Sequence, residues 1–205
     1  MVSYIIVAVL AYLIGSVSFS VIFTKNISGF DVREKGSKNA GSTNVLRTAG
    51  KGVAALTLVC DILKGVVAIW IAKFIGDIIG TDSSILVQIA AIAVVVGHTF
   101  PIFFQFKGGK GVATSLGVLF VINWQIALIC LVFALVLMIL TRIVSIGSIA
   151  AAILFPVLTL FITENYIEPG DYKIFGILLA VFVCYNHRAN IKRLMEGKEN
   201  ALKLK

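Results

Sequence analysis

Long apolar tracts separated by short polar breaks set the plan of this chain. Residues 2–23, 53–72, 84–104 and 145–162 each run apolar for about the 17–25 residues that a helix needs to cross a bilayer. Two tracts are less regular. Residues 112–140 form an apolar tract interrupted midway only by Asn123 and Gln125 on either side of Trp124. One overlong tilted helix fills that tract, or else a half-length helix, a turn at Asn123 and a second helix from Trp124. Residues 172–185 are short for a span, and are expected to start deep and end in a polar face.

The basic residues choose between the two options, because Lys and Arg collect in short cytoplasmic loops. With two helices in 112–140 the chain crosses seven times, and fifteen of the eighteen Lys and Arg fall on one side: six in 25–51, Lys107 and Lys110, Arg142, and six from Arg188 onward. Lys73 and Lys173 then lie on the other side with Asp77, Asp82, Glu164, Glu168 and Asp171, while Lys64 lies within a helix. A single long helix would send the basic tail to the face opposite 25–51. The expectation is therefore an all-α integral membrane protein, one membrane-embedded domain over 1–205. It is a seven-helix bundle with the N-terminus outside, the C-terminus cytoplasmic and a short, half-length fourth helix at 112–122. At 1.5 Å per residue that helix is only about 17 Å long, so protein must shelter it. Helices of this kind often present an N-terminus to a polar ligand at membrane depth.

Composition agrees with this class: 59% of residues are hydrophobic, 14% are charged, and the mean hydropathy is +1.02. The net charge of +8 follows from the topology and attraction to anionic lipid, and gives no support to nucleic-acid binding. Residues 1–24 lack a basic leader and a small-residue cleavage site, so they read as a retained first helix. Cys60, Cys130 and Cys184 sit in apolar segments without metal spacing and read as packing residues.

The polar chemistry gathers in three islands, all on the expected cytoplasmic side. The first, within 31–47, contains Ser37, Asn39, Thr43, Asn44 and Arg47 between glycines. So many polar groups cannot face lipid, where each unsatisfied one costs several kcal/mol. Glycines allow close approach of a ligand, and Arg47 suits a two-pronged grip on phosphate. An ordinary cytoplasmic loop is the plain alternative. The second island carries His98 and then Gly108, Gly109, Lys110 and Gly111, ahead of the short helix whose free N–H groups and dipole attract anions. It lacks the spacing of a Walker A loop. His98 reads as a hydrogen-bonded structural histidine at a helix end. In the third island, His187 and Asn190 share a face if the helix continues; a basic amphipathic tail on lipid headgroups is its alternative. Asp61 and Lys64 are spaced to pair within the second helix, as an ion pair or a functional site. Ser145 and Ser148 flank Gly147 at the start of the sixth helix, as donors or as small residues for close packing.

On these residues the chain resembles the bacterial acyl-phosphate:glycerol-3-phosphate acyltransferase family, integral enzymes of the cell (inner) membrane. The matching segments are Gly15-Ser16 with 31–47, then 97–114 with FKGGKGVAT, and then 187–199, HRANIKRLMEGKE. They cover nearly the whole chain in order. The resemblance implies transfer of a fatty acyl group from acyl phosphate to the 1-hydroxyl of glycerol 3-phosphate, giving lysophosphatidic acid and phosphate on the cytoplasmic side. It implies that Ser37, Asn39, Thr43 and Arg47 belong to the substrate-binding first motif, that Gly108, Gly109, Lys110 and Gly111 hold a phosphate, and that His187 and Asn190 act at the reacting centre. Glu199 matches a glutamate that supports structure.

Acyl phosphate is a mixed anhydride and already activated, so the chemistry needs no metal, nucleotide or coenzyme, and no obligate protein partner is expected. Lys110 and the half-helix are expected to hold the acyl phosphate and Arg47 the glycerol 3-phosphate. Positioning both reactants contributes roughly 7–11 kcal/mol. His187 takes the hydroxyl proton, or the leaving phosphate does so while His187 orients; a covalent acyl-Ser37 ranks last, having no adjacent base. The rival class is a transporter of a phosphorylated solute, disfavoured by short, acidic outer loops.

Overall fold

The structure, a computed structural model, describes residues 1–161 and 172–202, and every regular element among them is helical. Glu164, Glu168 and Asp171 of the expected outer loop, with Lys203 and Lys205 of the tail and the side chain of Lys173, lie outside the described residues. The chain divides into two compact units, Met1–Val121 and Ile122–Lys205.

The first unit contains α1 (Val2–Gly15), α2 (Phe19–Ser28), α3 (Ser42–Ala49), α4 (Lys51–Ile79) and α5 (Ser83–Thr99), and nearly all of α6 (Val112–Ile122). α1 packs on α5, and α4 packs on α1, α2, α3 and α5. The first apolar tract, expected as one helix over 2–23, is broken: the chain leaves α1 at Ser16 and re-enters helix at Phe19. The cause is distant in sequence. Lys64 Nζ, from α4, donates to the carbonyls of Gly15 and Val17 at 3.0 Å each, supplying partners that the last turn of a helix otherwise lacks. The polar block 31–47 also differs from a plain loop, since it ends in α3. There Asn44 and Val45 are buried, while Thr43 and Arg47, one turn apart, share the outer face.

α6 is the half-length helix expected at 112–122. It lies close against α4, because a methyl added at Gly65 would come 2.3 Å from Thr114 O and one at Gly117 2.0 Å from Ile62 O. Small residues at both points let the backbones meet, which shelters a helix too short to span.

The second unit contains α7 (Trp124–Thr141), α8 (Val144–Phe161), α9 (Tyr172–Asn186) and α10 (Arg188–Met195). The 112–140 tract divides at Asn123 as its polar residue suggests: the Asn123 side chain accepts from the Ile126 N–H at 2.9 Å and caps α7. The helix expected to continue through His187 does not. His187 forms a turn between α9 and α10, with φ −97° and ψ 5°, and its carbonyl accepts the Ile191 N–H at 2.8 Å.

Among the described residues, four segments are long and apolar enough to cross a membrane: Val2–Ser28, Lys51–Ile79, Ser83–Phe104 and Trp124–Thr141. Three apolar helices are shorter, at Val112–Ile122, Val144–Leu160 and Phe175–Asn186.

Candidate active site

The first island is polar, yet a few apolar side chains anchor it. Val32, Ala40 and Val45 are buried with Val21 of α2 and Ala54 of α4. Asn44 shapes the loop above them. Its amide nitrogen donates to Val32 O and Lys35 O at 3.0 Å and to Asn39 O at 3.1 Å, and its oxygen accepts the Ser37 N–H at 2.9 Å. The loop closes over Asn44 because residue 36 is glycine: φ is +59°, and a methyl there would lie 2.3 Å from Asn44 Oδ1. Asn44 thus builds the platform on which Ser37 and Arg47 stand exposed and Asn39 and Thr43 half-buried.

A second clamp lies beside it. The Asp31 carboxylate accepts from the Arg33 N–H at 3.0 Å and from Arg33 Nη2 at 2.7 Å, and pairs with Lys25 at 3.3 Å. The Arg33 guanidinium, outweighing burial, holds the Asp31 carboxyl well below the usual carboxylate range. Arg33 Nη1 also reaches Phe104 O at 2.7 Å, tying this island to the turn before the second.

The first two islands join at Gly108. Its carbonyl accepts the Ala40 N–H at 3.3 Å and Asn39 Nδ2 at 3.5 Å. The N–H groups of Gly108 and Gly109 are bonded inward, to Thr99 O and His98 O at 3.1 Å each. These two glycines therefore make the turn, and their N–H groups are used within it, ahead of Lys110, Gly111 and the first turn of α6. Thr114 Oγ1 and Ser115 Oγ in that turn are buried without a hydrogen-bond partner. Asp61 and Lys64 pair at 2.9 Å beneath this region, and His98 Nδ1 lies 3.5 Å from Asp61.

In the second unit Glu199 is the hub. Its carboxylate accepts from Ser145 Oγ at 3.0 Å, Asn190 Nδ2 at 2.5 Å and Arg193 Nε at 2.6 Å. Burial pushes the Glu199 carboxyl up, and the bonds from Arg193, Asn190 and Ser145 outweigh it and hold it below its ordinary value. Ser148 is buried, and a methyl at neighbouring Gly147 would lie 2.5 Å from Ala134 O, so α7 and α8 pack closely here. His187 is 3% exposed, and its Nδ1 lies 2.8 Å from Val183 O. A carbonyl only accepts, so Nδ1 carries the proton and a neutral ring keeps its lone pair on Nε2.

A family model described as glycerol-3-phosphate acyltransferase matches residues 5–197. The chain belongs to the glycerol-3-phosphate acyltransferase family. Among its relatives of that name, the protein of Clostridioides difficile (strain 630) is 44% identical over 204 residues, covering 98% of this chain and 96% of the relative. That of Syntrophomonas wolfei is 44% identical over 191 residues, 93% of each chain. Among solved structures, the fold is similar to PlsY (YgiH), an integral membrane glycerol 3-phosphate acyltransferase, in its glycerol 3-phosphate form. The TM-score is 0.86 and the identity 36%, over 98% of this chain and 96% of that one. The lysophosphatidic acid form gives a TM-score of 0.83 at 34% identity.

Within this acyltransferase family member, the residues that sequence reasoning passed over are the ones that hold others. Arg33 and Asp31 were legible as a pair two apart; the roles of the Thr99 and His98 carbonyls carry no local signal.

Proposed function

We propose that this protein is a membrane acyltransferase that moves a fatty acyl group from acyl phosphate to the 1-hydroxyl of glycerol 3-phosphate, giving lysophosphatidic acid and inorganic phosphate, the first step of phospholipid synthesis. Family membership supports the reaction. The junction at Gly108 supports the site: hydrogen bonds from Ala40 and Asn39 tie the island bearing Arg47 to the loop bearing Lys110. In this reading the two basic groups serve two phosphate-bearing substrates. The whole chain works as one catalytic domain, with seven crossings, the N-terminus outside and the three islands facing the cytoplasm across a bacterial inner membrane.

The attacking hydroxyl oxygen forms a bond to the acyl carbonyl carbon, the anhydride C–O bond breaks, and phosphate leaves. His187 Nε2 accepts the hydroxyl proton, and Asn190, held by Glu199, hydrogen-bonds at the reacting centre. Arg47 and the hydroxyls of Ser37 and Thr43 hold glycerol phosphate. Lys110, Gly111 and the α6 N-terminus hold the second phosphate, and Ser145 and Ser148 add donors or packing.

The test is to incubate purified protein with acyl phosphate and glycerol 3-phosphate and measure phosphate release; release that does not depend on glycerol 3-phosphate rejects the reading. Arg47→Lys keeps the charge but loses the planar fork, and should raise the KM for glycerol 3-phosphate by about tenfold or more, the loss of about 1.4 kcal/mol of binding.

A further inference from the structure

Asp61, Lys64 and His98 form a buried chain of polar groups that ends on the glycine loop, and no step of the acyl transfer uses them. They are 2%, 4% and 6% exposed. The Lys64 ammonium donates to the carbonyls of Gly15 and Val17 at 3.0 Å each and forms an ion pair with Asp61 Oδ1 at 2.9 Å. Asp61 Oδ1 lies 3.5 Å from His98 Nδ1. The far side of the imidazole is pressed against Gly109, where an added methyl would fall 2.1 Å from His98 Nε2 and 2.8 Å from Cε1. His98 also grips the same residue through its main chain, accepting the Gly109 N–H at 3.1 Å.

A structural ion pair explains Lys64 and Asp61, but it has no need of a third group whose ring abuts the loop. We propose that Asp61, Lys64 and His98 are positioning residues for the 108–111 loop. The ion pair fixes the imidazole, and the imidazole fixes Gly109, which sets where Lys110 and the first turn of α6 direct their donors. The proposal rests on the reading of this loop as a phosphate site.

The test uses the full-length protein and measures kcat and the KM for each substrate. Lys110→Met first identifies which substrate depends on the loop, by a rise of about tenfold in one KM. His98→Asn keeps a donor near the Nδ1 position for Asp61 and removes the ring atoms facing Gly109. Gly109→Ala puts a methyl into that same space. Each alone should raise the loop-dependent KM about tenfold with kcat within about threefold, and the pair together should return KM to within about threefold of the parent. Effects that multiply in the pair, or single variants that move kcat alone, overturn the proposal. Should His98→Asn fail to accumulate, Asp61→Asn takes its place: its effect combined with Gly109→Ala must fall short of the product of the two singles, and a full product rejects the idea. A Lys110→Met variant with both KM values unchanged rejects the phosphate-loop reading itself. A response to Lys110→Met with none to His98→Asn rejects only the positioning role.

Discussion

At the scale of single residues, the bond from His187 Nδ1 to Val183 O decides what this side chain can do. It fixes both ring orientation and tautomer, leaving Nε2 as the basic atom. His187→Ala should lower kcat by about 10²- to 10⁴-fold with KM within about threefold; a defect confined to KM would remove His187 from the proton transfer. His187→Asn sharpens the measurement, because its amide keeps a donor near Nδ1 but has no base. Glu199 makes the complementary prediction for stability. Its folded pKa lies below the ordinary value of 4.5, so its contribution is complete above about pH 5, begins to fade as pH falls below 4.5, and is lost once pH has fallen through the lower folded value. Glu199→Gln removes a charged acceptor of three hydrogen bonds. At pH 7 this should cost about 2 kcal/mol, or about 4–8 °C in Tm. The gap between parent and variant, followed by thermal unfolding in detergent, should narrow as pH is taken from 7 to 4. A constant gap would show that the carboxylate charge is not what holds the cluster.

At the scale of elements, the cap on α7 gives the cleanest expectation. Asn123→Ala deletes the acceptor for the Ile126 N–H, which should cost about 1 kcal/mol and lower Tm by about 2–4 °C while acyl transfer persists; Asn123→Asp should recover most of the loss. This break was legible in the sequence because its cause is local: a polar capping residue interrupts an otherwise apolar tract. The break between α1 and α2 was not, because its cause is Lys64, 49 positions from Gly15. Nothing in the run Ser16-Val17-Ser18 announces that an ammonium will claim the carbonyls around it. α3 falls between these cases. Gly41-Ser42-Thr43 before Val45 and Leu46 carries a recognisable helix start, which the polarity of the surrounding block obscures. The glycine loop shows a further limit. Composition and position make 108–111 a candidate anion site, yet the N–H groups of Gly108 and Gly109 point back to Thr99 and His98, a fact set by the end of α5 and by no spacing within the motif.

At the scale of the whole molecule, the distribution of charge carries the topology. Fifteen of eighteen Lys and Arg fall on one face only if Val112–Ile122 and Trp124–Thr141 are counted as separate crossings, and the proposed cytoplasmic site depends on that count. Single-cysteine labelling checks it. With Cys60, Cys130 and Cys184 replaced by Ser or Ala, Thr81→Cys tests the loop between α4 and α5, where the residue is exposed. Lys35→Cys and Lys198→Cys, also at exposed positions, test the first island and the tail. In intact cells a membrane-impermeant maleimide should label position 81 alone, and permeabilised cells should label all three. The comparison of 35 with 198 is the decisive one, since an even number of crossings separates them only if α6 and α7 each count. Opposite accessibility of those two positions would make 112–140 a single crossing and part the Arg47 and Lys110 loops from His187 by the thickness of the membrane. No single active site survives that separation, so the same result would reject the one-site mechanism along with the topology.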